Sequence, residues 1–253
     1  MIRSHAMPAR RGQFRYAGVR KSFRIIANIF YRPYVLRRIR QPEKILFYGC
    51  EIETHPAVFH PALFHSTKIL IRSLVENPLG KKIPLEGKSF LDMGTGTGVV
   101  GVAAARKGAK VFACDVNRTA VELAQRNAAR NAVEMEVIFS DLFSSLNGTG
   151  SQRDFRFDVI AFNIPFYPTP PGNEFERAFK AGASFAVIKQ FARESFRHLK
   201  NQGVVIIVFS EDSGYETITG IFLAEGFRIL NSETYSKMFE KFYVVTFTGK
   251  SDF

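Results

Sequence analysis

Acidic residues are missing from the first forty positions of this 253-residue chain, which hold eleven Lys or Arg. The rest of the sequence carries 24 basic against 23 acidic residues, so the net charge of +12 belongs almost wholly to that N-terminal arm. Cysteine is scarce as well. Cys50 and Cys114 are the only two, which excludes a disulfide framework and suits the reduced thiols of a cytoplasmic protein. No apolar run approaches the ~20 residues that a bilayer-crossing helix requires. The longest, such as Gly98 to Ala105 and Gly203 to Phe209, are core-sized, and the chain reads as not transmembrane. Tryptophan is absent and no internal repeat or low-complexity tract occurs, whereas 26 phenylalanines are present. At 46% hydrophobic residues, a chain of this length can bury a full core.

Within the arm, Val19, Phe23, Ile26 and Phe30 recur at helical spacing with Arg20, Lys21 and Arg24 off the stripe, until Pro33 interrupts. This predicts a basic amphipathic helix. Such an element can grip RNA phosphates, lie on an anionic membrane, cap a substrate pocket, target an organelle, or pack on the core. Three segments are expected: an arm over 1–42, a hairpin and helix over 43–80, and an α/β domain over 81–253.

That last domain carries the chemistry. Lys88 to Leu91 reads as a strand and Val99 to Ala105 as a helix start, so Gly94, Thr95, Gly96, Thr97 and Gly98 sit where one hands over to the other. Gly96, Gly98 and Gly101 also satisfy the G-x-G-x-x-G spacing of dinucleotide enzymes, which keeps an NAD-dependent oxidoreductase open. Asp92 at the mouth of the turn argues otherwise. An ionised carboxylate opposes a pyrophosphate but attracts the sulfonium and ammonium of S-adenosyl-L-methionine. One such pair at ~4 Å and an effective dielectric of ~20 corresponds to about 4 kcal/mol before desolvation.

Further strands are expected at Lys110 to Cys114, Glu136 to Ser140 and Phe157 to Phe162, each with chemistry at its carboxyl end. Asp115, followed by Val116 and Asn117, stands about 20 residues past the glycine turn, where an acid can accept from ribose hydroxyls. The alternative is that Asp115 begins a turn and Asn117 caps the helix from Arg118 to Ala132, whose expected apolar face is Val121, Ala124 and Ala128. Asp141 can accept from an adenine amino group while Leu142 covers the ring. After the fourth strand comes Asn163-Ile164-Pro165-Phe166. Later segments predict a helix through Phe185, Ile188, Ala192, Phe196 and Leu199, a strand from Gly203 to Ser210, and a helix from Tyr215 to Leu223. Two antiparallel strands, around Phe227 to Leu230 and Phe242 to Phe247, are expected on either side of Lys237 to Lys241.

This order of motifs resembles a class I S-adenosylmethionine-dependent methyltransferase. Asn163-Ile164-Pro165-Phe166 resembles the Asn-Pro-Pro-Tyr/Phe motif of its amino-methylating branch, with Ile164 in place of the first proline. The resemblance implies a Rossmann-like seven-stranded mixed sheet with helices on both faces and an antiparallel C-terminal strand. It also implies that Asn163 and the Ile164 carbonyl accept hydrogen bonds from a target NH₂ while Phe166 packs on its planar group. Holding the nitrogen in line with the methyl donor contributes a proximity effect. No dedicated base stands out, and none is needed if the proton leaves after transfer.

Upstream, Ile45 to Ile52 and Val58 to Leu70 resemble the hairpin and helix that precede the cofactor domain of glutamine methyltransferases. Ser66 or Thr67 is expected to cap that helix, whose apolar face is Ile69, Leu70 and Leu74. His55, His60 and His65 recur every five residues, a spacing that scatters them over different faces and predicts no metal site; one of them is expected at the substrate entrance. The acceptor is left open between a protein glutamine, an RNA base and a small molecule. A silent RNA- or membrane-binding module on the same fold is the other class of reading.

Overall fold

The stretches 89–93, 110–115, 157–163 and 203–209 carry apolar side chains on both faces, the pattern of a sheet covered by helices on two sides. A computed structural model describes residues 37–76, 84–146, 155–165, 182–237 and 240–249. The chain divides into residues 1–40, of which 37–40 are described, and residues 41–253. The amphipathic helix expected at Val19 to Phe30 lies outside the described residues, as do positions 77–83 around the expected boundary at 80.

Two short strands, β1 (Lys44–Phe47) and β2 (Cys50–Glu53), form an antiparallel hairpin, followed by α1 (His65–Val75). Then come β3 (Ser89–Met93), α2 (Val99–Ala105), β4 (Lys110–Asp115), α3 (Arg118–Arg130), β5 (Met135–Phe139) and β6 (Phe157–Asn163). The chain closes with α4 (Ala186–Ser195), β7 (Leu199–Ser210), α5 (Tyr215–Ala224), β8 (Arg228–Lys237) and β9 (Glu240–Thr248). Among the described residues, seven strands make one sheet in the order β5-β4-β3-β6-β7-β9-β8. The first five are parallel, and β9 runs antiparallel to both neighbours. This is the Rossmann-like mixed sheet that the motif order implied. No described helix is long and apolar enough to cross a membrane.

Strand alternation divides the core in two. Val204, Ile206 and Val208 of β7 face α1 and α2 in one apolar cluster, whereas Val205, Ile207 and Phe209 face α4 and α5 in another. The second cluster absorbs many of the phenylalanines: Phe222 stacks on Phe247 with centroids 4.3 Å apart, and Phe143 lies against Phe191 at 5.7 Å.

Several local expectations are corrected. The helix expected to open around His65-Ser66-Thr67 does begin at His65, after turns around Pro56 and Pro61. Neither Ser66 nor Thr67 caps it: Phe64 is the N-cap and makes no side-chain capping bond. The buried face of α3 centres on Ala120, Leu123, Ala124, Asn127 and Ala128, leaving Val121 at its margin, because a buried asparagine belongs to that face. The helix expected through Leu199 stops at Ser195 and tightens into a 3-10 turn over Phe196–His198. There His198 stacks on Phe143 at 4.5 Å and its Nδ1 meets the Phe155 carbonyl at 2.7 Å, and β7 starts at once. The C-terminal strands reach into the expected connection, so Lys237 and Glu240 are paired.

The hairpin is fastened to α3 by asparagine. Asn127 donates to the carbonyls of Glu53 (2.9 Å) and Thr97 (2.8 Å) and accepts from Glu53 N–H (2.8 Å). One turn later Asn131 accepts from Glu51 N–H (2.9 Å) and donates to the Glu51 carbonyl (2.8 Å). Four residues of helix rise about 6 Å and two residues of strand about 6.7 Å, so amides on successive turns meet alternate residues of the β2 edge. Asn127 is fully buried and joins hairpin, helix and glycine turn. Replacing Asn127 by Ala orphans backbone groups of Glu53 and Thr97 and is expected to cost about 2–4 kcal/mol. The thermal midpoint should fall by roughly 5–15 °C, and Asn131→Ala, at an exposed site, should cost less; thermal denaturation of both variants checks the order.

Candidate active site

Strand order reverses between β3 and β6: β4 and β5 extend the sheet on one side, β6 and β7 on the other. In an open α/β sheet ligands bind beyond the strand ends at such a switch point. Asp92 and Met93 of β3 lie in register with Ala161 and Phe162 of β6, which puts Asp92 and Asn163 on opposite banks of one crevice. A cavity of about 340 Å³ opens there, within the size range of small-molecule sites.

The glycine turn is built around two carboxylates. Asp92 is 3% exposed, and its Oδ2 accepts from Thr95 Oγ1 at 2.6 Å and from Gly101 N–H at 2.9 Å. Burial pushes its pKa up to about 7 despite those two hydrogen bonds, with the neighbouring Asp115 charge adding to the rise. Asp115 accepts from Gly96 N–H and Asn117 N–H, both at 2.9 Å, and burial raises its pKa as well. Between them the chain needs left-handed backbone: Gly98 has φ +81°, and a Cβ there would lie 2.9 Å from Ala124 of α3. Gly101 keeps α2 close to the sheet, since a Cβ would meet Met135 at 2.8 Å. Gly96 instead lines the cavity with ordinary room around it.

Most of the sequence candidates lie around one cavity. Asp92, Gly94, Thr95, Gly96, Asp115, Val116, Asn117, Asp141, Leu142, Asn163 and Pro165 all line this cavity. Gly98 does not; it serves the turn. Asn117 caps α3, accepting from Thr119 N–H at 2.9 Å, and also donates to the Ala57 carbonyl at 2.8 Å. The capping alternative is therefore correct for Asn117, while Asp115 both braces the turn and faces the cavity. Leu142 adopts φ +48°, a strained conformation for a branched side chain, at the rim beside the exposed Asp141.

Across the crevice, Asn163 donates from Nδ2 to Thr67 Oγ1 at 3.2 Å, and its buried Oδ1 has no hydrogen-bond partner among the described residues. Ile164 is fully buried in the apolar cluster shared with Ile188 and Phe191, so the residue replacing proline works as core packing. Phe166 lies outside the described residues.

Sequence reasoning missed the lid of the cavity. Ala57, Val58, Phe59, Pro61 and Thr67 line it from the segment before and within α1, with Val187 opposite. Their signal was the stretch from Val58 that resembles the segment preceding the cofactor domain; Val58 packs on Ala120 and Leu123. None of the three upstream histidines lines the cavity, contrary to expectation. His60 is buried with Nε2 2.6 Å from Glu43 Oε1, so this histidine serves the fold.

The sheet order and the glycine turn braced by carboxylates define the class I methyltransferase fold. The chain belongs to the Methyltransferase small domain family, whose model matches residues 49–245. It is 32% identical over 203 residues to a Methanocaldococcus jannaschii protein named as a protein N5-glutamine methyltransferase, covering 78% of this chain and 94% of that one. It is also 32% identical over 163 residues to the ribosomal RNA small subunit methyltransferase C of Escherichia coli, covering 63% of this chain but only 40% of the relative. Among solved structures, the Thermus thermophilus 16S rRNA N2 G1207 methyltransferase in complex with AdoMet and guanosine superposes with a TM-score of 0.60 at 21% identity. That match covers 83% of this chain and 50% of that one. The protein is an S-adenosylmethionine-dependent methyltransferase.

Asp92 gives a stability signature. Its folded pKa of about 7 exceeds its ordinary value of 3.8, so between those values the folded state holds a proton that the unfolded chain has released. The stability contributed by the neutral acid is complete below about pH 4 and is lost as pH rises toward 7. Relative to wild type, Asp92→Asn should gain stability progressively from pH 4.5 to 7 and no further above; denaturant titrations across that range check it.

Proposed function

We propose that this methyltransferase acts on the side-chain amide nitrogen of a protein glutamine. The carrying observation is Asn163 Oδ1, a buried acceptor without a partner at the cavity wall. Such an atom costs about 1–3 kcal/mol until a donor meets it, and a primary amide or exocyclic NH₂ brings that donor. With the Ile164 carbonyl as a second acceptor, both N–H bonds of the target are held and its lone pair is aimed into the cavity. Pro165 limits the backbone behind it.

The residues present fit the methyl donor. When bound, it supplies an electrophilic methyl group on a sulfonium. Asp92 would face its cationic methionine end, Asp115 its ribose hydroxyls, and Asp141 with Val116 and Leu142 its adenine. Two buried carboxylates raised in pKa suit a cation and oppose a pyrophosphate, which weighs against the dinucleotide reading of Gly96, Gly98 and Gly101.

Coverage supports glutamine over RNA: the relative named for protein glutamine is spanned over 94% of its length, the ribosomal RNA relative over 40%. One observation favours an RNA base as the second reading. The eleven basic residues of positions 1–40, unopposed by any acid, suit phosphate contacts.

Donor affinity should depend on pH in the sense opposite to stability. The carboxylate form binds the cation, so affinity for S-adenosylmethionine should rise about tenfold from pH 6 to pH 8 with release of a proton. Calorimetry in buffers of different ionisation heat should show both effects, and Asp92→Asn should lose both. For the acceptor, methyl-labelled donor incubated with a cell extract should place label in protein that survives ribonuclease. Asn163→Ala should bind donor normally yet transfer at least about a hundredfold more slowly. Label confined to RNA would replace the glutamine reading with the RNA one, and an unimpaired Asn163→Ala would remove Asn163 from the site.

A further inference from the structure

A primary amide offers hydrogen-bond ends of opposite sense, and half a turn about its last torsion exchanges them. Asn163 can receive a target NH₂ only with its oxygen end. A free amide at the bank of a cavity would present its NH₂ as readily, and two NH₂ groups cannot hydrogen-bond to each other's donors. The site therefore gains from a partner that can accept from the nitrogen end while Oδ1 faces the cavity.

Thr67 is that partner. Its Oγ1 lies 3.2 Å from Asn163 Nδ2, across 96 residues of sequence, and Thr67 is only 5% exposed. The hydroxyl has no capping duty, because the N-cap of α1 is Phe64 and no side-chain capping bond is made. Its position is set by packing: Ile69, Leu70, Ile71 and Leu74 of the same helix are buried in the cluster beneath the sheet. A β-branched side chain adds a restricted first torsion. Thr67 itself lines the cavity beside Asn163.

We propose that Thr67 is a positioning residue for methyl transfer: its hydroxyl holds Asn163 Nδ2 and so turns Oδ1 toward the acceptor nitrogen. The inference rests on the reading of Asn163 as the acceptor clamp. Thr67 touches neither reacting group in this scheme and acts through Asn163 alone.

The test uses the full chain, methyl-labelled S-adenosylmethionine, and a donor-depleted cell extract over a dilution series, with Thr67→Val, Thr67→Ser, Asn163→Ala and the double variant. Thr67→Val keeps shape and removes the hydrogen bond. Its plateau rate should fall about 10- to 100-fold, with half-saturation by extract and affinity for S-adenosylhomocysteine each changed by less than about twofold. Thr67→Ser should recover the rate to within about threefold. Because the two residues form one unit, Thr67→Val should cost nothing further in the Asn163→Ala background, whereas independent structural damage would add. A Thr67→Val rate equal to wild type, beside an impaired Asn163→Ala, overturns the inference while leaving the acceptor clamp standing. Wild-type rates in both single variants overturn the two together. Should Thr67→Val fail to fold, side-chain amide exchange in the wild-type protein decides: Asn163 Nδ2 protons slowed relative to solvent-exposed asparagines support the bond, and unprotected ones overturn it.

Discussion

The arrangement at the crevice depends on a carboxyl group that the fold has buried and wrapped in hydrogen-bond donors. Asp92 ends β3 at the switch point, and the glycine turn wraps it so closely that Thr95 and Gly101 both donate to one of its oxygens. This single acceptor fixes the start of α2 relative to β3. It thereby sets where Gly96 N–H reaches Asp115, and so how β3 and β4 share one ligand surface. Among the described residues, no lysine or arginine lines that pocket. Compare Asp158, at the opposite end of the sheet. Burial acts on it too, but Ser89 donates through both N–H and Oγ, and Lys200 and Lys88 come within 3.1 and 3.3 Å, holding its pKa below the usual range. Asp158 is held ionised by the partners that folding supplies, whereas burial raises the pKa of Asp92 and of Asp115.

The acceptor bank shows the same economy with neutral groups. Asn163 is satisfied at one end by Thr67 and open at the other. The crevice thus has two buried carboxylates of raised pKa on one bank and an unpartnered amide oxygen on the other. Ordinary packing surrounds it, with Ile164 drawn into the aromatic cluster behind Asn163. The isoleucine that departs from the family tetrapeptide therefore alters the stiffness of the backbone more than the chemistry of its carbonyl.

What the sequence displayed clearly was local. The turn from Asp92 to Gly98 and the acids at Asp115 and Asp141 are contiguous with their strands, so periodicity and strand-end position suffice to bring them together. Asn163 was readable for the same reason. Thr67 was not, because its partner lies across the sheet and a threonine near a helix start has an obvious local role that this one does not take. Asn127 was hidden by its own composition: an asparagine in a helix predicts an exposed position, and only the free edge of β2 explains why this one is fully buried. His60 failed in the other direction, since histidines at regular spacing drew attention to chemistry, while the residue is paired with Glu43 in the fold.

Asparagine therefore links the two banks mechanically. Asn127 holds Glu53 and the Thr97 carbonyl, Asn117 holds Ala57, and the segment between Glu53 and Ala57 leads directly into the cavity lid and then to Thr67. The hairpin is consequently more than an appendage to the donor domain. By fastening it to α3, the chain sets the segment before α1 along the wall of the cavity that holds Asp92 and Asp115, and brings Thr67 of the first turn of α1 beside Asn163.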